Sequence, residues 1–134
     1  MNDAEFLQAL EDCSLPSEAF NHRNHLRAAW LYLEQGPLAE AAMKCSLAIQ
    51  RYATTIGAPE KFHLTLTLAL MHIIAARRDA YPAPDWEAFL ESCPELISDA
   101  RELLAAHYSE ALLESDQARR TFVPPDKSPL PASS

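Results

Sequence analysis

Three histidines set the first chemical question, because imidazole is the side chain best suited to hold a divalent metal or move a proton near neutral pH. His22 and His25 stand three residues apart. On a helix that spacing turns their directions by only about 60°, so both can reach one ion. His63 lies in a later segment. The expected site uses His22, His25 and His63 as ligands of a divalent transition metal, zinc or iron, with Glu18, Glu60 and Thr67 as nearby oxygen donors. Arg23, Arg27 and Lys61 are expected to bind an acidic small molecule at the same end, where helix N-termini also attract anions. A polar cluster, with these cations paired to Glu18, Glu34 or Glu60, accounts for the same residues without any ligand. His72 follows His63 by nine residues, about 180° around a helix, and reads as a core or groove histidine. His107 stands beside Tyr108 with no neighbours that the sequence fixes.

The elements that must bring these residues together are marked by breakers. Both glycines and most prolines fall between apolar-periodic segments, which predicts an all-α, compact single-domain bundle of five to six helices. The expected helices cover about 3–13, then 21 or 24 to 35, 38–56, 60–78, 85–92 and 95–113, the last with a break near Tyr108-Ser109. A further turn is expected over 115–120. Short links at Gly36-Pro37 and Gly57-Ala58-Pro59 make the second, third and fourth helices run up, down and up, so that the starts of the second and fourth share one end. That topology is the reason for grouping His63 with His22 and His25. Residues 63–68 alternate with the period of a strand, yet no other segment offers a partner strand, so a helix is expected there. Residues 1–121 form the expected bundle domain. Residues 122–134 form an extended proline-rich strap held by Phe122, Val123 and Leu130 rather than a recognition tail, because their prolines make no P-x-x-P motif.

Composition narrows the function. Across 134 residues, 49% are hydrophobic, and 11 basic against 19 acidic side chains leave a net charge of −8. That balance repels phosphate backbones, so nucleic acid is not an expected partner. No run of about 18 apolar residues suggests a membrane span, and the first residues lack a secretion-signal layout, so a cytoplasmic location is expected. Cys13, Cys45 and Cys93 are odd in number and form no Cys-x-x-Cys pair, which predicts reduced, partly buried thiols. Cys93, just before Pro94, is the best placed of the three for a nucleophile.

A non-enzymatic reading starts from Ala28 to Ala41, where Tyr32, Gly36, Leu38 and Ala41 match the spacing of one tetratricopeptide repeat. No second unit follows at that period, so the match predicts a tightly packed helical hairpin rather than a solenoid. In this reading the protein is an interaction module or a homodimer, with Trp30, Tyr32 and Trp86 exposed for a partner.

Phe20-Asn21-His22-Arg23-Asn24-His25-Leu26-Arg27-Ala28-Ala29-Trp30-Leu31-Tyr32-Leu33, Lys61-Phe62-His63-Leu64-Thr65-Leu66-Thr67 and the stretch from Tyr108 to Asp126 resemble a family of small uncharacterised bacterial all-helical proteins. The resemblance touches most of the chain and is most specific at the two histidine segments. In that family the histidine matching His63 is commonly followed by Glu-Thr, whereas Leu64-Thr65 stands here. The resemblance implies a recurring helical unit and supplies no reaction; the missing carboxylate leaves three imidazoles to hold any metal.

Overall fold

The computed structural model describes residues 1–131, and its regular elements are helices, with no strand among the described residues. The described residues form nine α-helices, more than the expected five to six. The chain divides into two compact units, Met1–Phe62 and His63–Ser134.

The first unit is built from α1 (Asp3–Glu11), α2 (His22–Gln35) and α3 (Leu38–Thr55), with single 3-10 turns at Ser17–Ala19 and Pro59–Lys61. A capping box starts α1: the Asn2 side chain accepts the Glu5 N–H at 2.8 Å, and the Glu5 carboxylate accepts the Asn2 N–H at 3.0 Å. Asn21 caps α2 by accepting the Asn24 N–H at 2.9 Å, relieving one of the N–H groups that a helix start leaves unmatched. Helices α2 and α3 pack along each other as a hairpin around Gly36-Pro37, and α1 lies against both. From Ala28 to Leu33 every residue of α2 is buried. Gly57 closes α3 in the left-handed region at φ 79°, with the Ala58 N–H donating back to Ala53 O at 2.9 Å. Glycine suits this position because it reaches positive φ without a Cβ clash.

The second unit contains α4 (Leu64–Ala80), α5 (Trp86–Ser92), α6 (Glu95–Ser98), α7 (Ala100–Ala105), α8 (Glu110–Leu113) and α9 (Asp116–Arg120). Helix α4 has no exposed residue from Leu64 to Arg78, as expected for a helix apolar nearly all round. The strand-like alternation over 63–68 folds as helix, and its buried members are Thr65 and Thr67 while Leu64, Leu66 and Leu68 are half-buried. Thr65 is buried because its hydroxyl has two partners. It donates to Thr121 O at 2.8 Å and accepts the Val123 N–H at 3.1 Å.

The expected helix over 95–113 is broken into shorter pieces. Ser109 turns its hydroxyl to the Leu112 N–H and starts α8, and Ser115 does the same for the Ala118 N–H at the start of α9. Serine side chains that satisfy nearby backbone groups in this way favour helix ends over helix interiors. Residues 121–131 follow as extended and bent chain; residues 132–134 of the expected strap lie outside the described residues. Val123 is buried and Leu130 half-buried as expected, but Phe122 is exposed. Polar anchors replace it. Tyr108 donates its hydroxyl to Val123 O at 2.7 Å, and Asp126 accepts both the Ser109 N–H at 2.7 Å and the Ser109 hydroxyl at 2.6 Å. Among the described residues no helix is long and apolar enough to cross a membrane.

Candidate functional site

His22 and His25 open α2 in the first unit. The side chain of Asn24 donates to Ala19 O at 2.6 Å, so the turn at Ser17–Ala19 is tied to the same helix start. Phe20 follows that turn, and its ring stacks on the His25 imidazole with centroids 5.9 Å apart and planes 29° from parallel. Phe20 also meets the Tyr52 ring at 5.1 Å, and Tyr52 is fixed by donating its hydroxyl to Leu15 O at 2.7 Å. The His25 plane is therefore set by a chain of packed rings that ends on the backbone.

Loss of hydration, and then the neighbouring His22, push the His25 pKa down to about 4. Charging a group held in a dry setting is unfavourable, and a second cation beside it adds to the cost. At neutral pH His25 is an uncharged imidazole, and its ring stacks on Phe20 without a hydrogen bond to other described residues. A base this weak is a poor proton acceptor at pH 7, where a general base works best with a pKa near the working pH. A neutral ring keeps one nitrogen lone pair for coordination, and anionic ligands beside a metal would offset the loss of hydration that disfavours cations there.

His63 belongs to the second unit, which it opens in sequence. It is the N-cap of α4 rather than a residue of its first turn. Pro59–Lys61 form the 3-10 turn, which moves the helix start from the expected Glu60 to Leu64. The Nδ1 atom accepts the Leu66 N–H at 3.0 Å, and Nε2 lies 2.7 Å from Leu113 O. An acceptor at Nδ1 and a carbonyl at Nε2 together fix the tautomer with its proton on Nε2. Both nitrogens are thus occupied by backbone. Among the described residues no three His, Cys, Asp or Glu side chains are grouped so as to hold a metal ion.

The three cations all belong to the first unit. Arg27 is a structural clamp: its Nη2 is 2.7 Å from Asp3 Oδ1 and 3.3 Å from Met1 O, and its guanidinium lies 4.6 Å from the Phe6 ring centre. It ties α2 to the start of α1. Arg23 is exposed directly after His22, and Lys61 is exposed at the end of its 3-10 turn. Thr67 is buried within α4.

The thiols are free, as expected. Burial raises Cys45 to about 12 and also raises Cys93, against the opposing pull of Arg77. Neither is a ready thiolate, so Cys93 is not a poised nucleophile. Trp30, Tyr32 and Trp86 are at most 3% exposed, which removes the aromatic surface expected for a partner. These rings fill the cores because each apolar body gains more from burial than exposure could offer. His107 holds the C-terminal segment, with Nδ1 3.0 Å from Ser128 O and its own carbonyl accepting the Lys127 N–H at 3.0 Å.

Sequence reasoning missed Thr65, Tyr108, Ser109 and Asp126, whose partners lie 15 to 58 residues away along the chain. No local spacing could have signalled such contacts. No protein-family model matches the chain, and no curated protein or solved structure matches it.

Proposed function

We propose that the protein binds a divalent transition metal, zinc or iron, at the start of α2, with His22 and His25 as its protein ligands. The observation that carries this reading is His25, a neutral imidazole held in plane against Phe20 one helical turn from a second imidazole. Zinc and iron accept imidazole nitrogen readily, and two protein ligands leave coordination positions for water or an acidic small molecule. Arg23 contributes positive charge beside such a molecule. His63 enters this reading as a structural residue of α4, because coordination would cost it either the cap on Leu66 or the bond to Leu113.

Long-range proton–nitrogen spectra of ¹⁵N-labelled, tag-free protein test the reading during zinc addition. The expected outcome is a shift of the His22 and His25 ring nitrogens with the His63 nitrogens unmoved. Ring nitrogens of His22 and His25 that ignore zinc would overturn it.

A further inference from the structure

The outer face of α3 carries a pattern that the metal reading leaves unused. Ala41, Cys45, Ala48, Ile49, Tyr52 and Ala53 are the buried residues of this helix. On the other side Glu40, Met43, Leu47, Gln50 and Thr54 recur at intervals of three and four and are all exposed. That interval is the seam spacing of paired helices. At its centre Met43 is 60% and Leu47 51% exposed, one helical turn apart. Solvent-facing helix positions are ordinarily polar, so two large apolar side chains in register form a small docking stripe.

The edges of the stripe differ. Lys44 and Arg51 are exposed along one edge, Arg51 Nη1 also donating to Glu11 O at 3.4 Å, whereas the other is short, with Ala39 exposed and the Ser46 hydroxyl folded back onto Ala42 O at 2.8 Å. A short edge lets a second helix approach closely. A basic edge on a chain of net charge −8 selects an occupant with acid beside its apolar residues. A second copy of this chain fits less well, because antiparallel pairing about the Met43–Leu47 centre would bring Lys44 towards its own counterpart. We propose that α3 docks one amphipathic helix of a partner protein whose apolar stripe is flanked by Asp or Glu. From Glu40 to Thr54 the stripe runs about 21 Å, so the partner helix needs about four turns.

The test uses two fluorescent synthetic helices of 18 residues with identical Leu seams, one flanked by Glu and one by Lys, titrated with the full chain by anisotropy. The Glu-flanked peptide is expected to bind at least tenfold tighter than the Lys-flanked one, by a margin that shrinks with salt. Met43→Glu/Leu47→Glu is expected to weaken its binding at least tenfold while circular dichroism stays unchanged, and Lys44→Glu is expected to narrow the preference. Equal binding of the two peptides, or binding indifferent to the Met43 and Leu47 changes, would overturn the proposal. So would a concentration-dependent dimer in light scattering that Met43→Glu abolishes, since the occupant would then be a second copy.

Discussion

At the scale of the residue, His25 is both the proposed ligand and a source of acid sensitivity. Its pKa is about 4 in the folded chain against an ordinary 6.5, so between those values the unfolded chain takes up the proton first. Stability linked to His25 is therefore complete above about pH 6.5 and falls as the pH drops towards 4, by at most about 3 kcal/mol. Urea unfolding followed from pH 7 to pH 4 is expected to show this loss, and His25→Leu is expected to flatten it. An equally steep decline in the variant would assign the effect to other groups. That His22 and His25 share the start of one helix was legible, because Asn21 is a good cap residue directly before an apolar-periodic run. The role of His63 was not legible. It depends on where α4 begins, and the proline at 59 reads equally well as a first helical residue and as the opening of the 3-10 turn found there.

At the scale of the element, helix ends explain most of the difference between sequence and structure. Gly57 ends α3 as its type suggests, while Cys13 does a comparable job after α1 with φ 62°, the Ser14 N–H donating to Ala9 O at 2.9 Å. The left-handed region is costly for a residue with a Cβ, and glycine avoids that cost at some loss of unfolded-chain entropy. Cys13→Gly is accordingly expected to stabilise the protein by about 0.5–1 kcal/mol, read as a higher urea midpoint at constant m-value. A lower midpoint would mean that the Cys13 side chain contributes contacts that outweigh the strain. Long, strongly apolar helices such as α4 were legible from periodicity and breakers. The short helices from Glu95 to Arg120 were not, because serine caps compete with helix continuation on terms that tertiary contacts decide.

At the scale of the whole molecule, the all-helical class follows from the punctuation of the chain, whereas the anchoring of residues 121–128 does not. That segment is tied to the second unit by Thr65, His107, Tyr108 and Ser109. Thr65→Val keeps the shape but leaves the buried Val123 N–H without its acceptor, a loss worth about 1–3 kcal/mol. Hydrogen exchange at the Val123 amide is expected to accelerate in this variant, and unchanged protection would contradict the anchoring role. Metal binding is the claim on which the functional account rests. Its most direct test is equilibrium dialysis of the tag-free chain against cobalt(II), with bound metal counted in the wild type, in His22→Ala/His25→Ala and in His63→Asn, whose amide can still cap α4. The account predicts about one bound equivalent in the wild type and in His63→Asn, and loss of that equivalent in the double variant. A wild type that binds no metal, or a double variant that binds as well as the wild type, would contradict it.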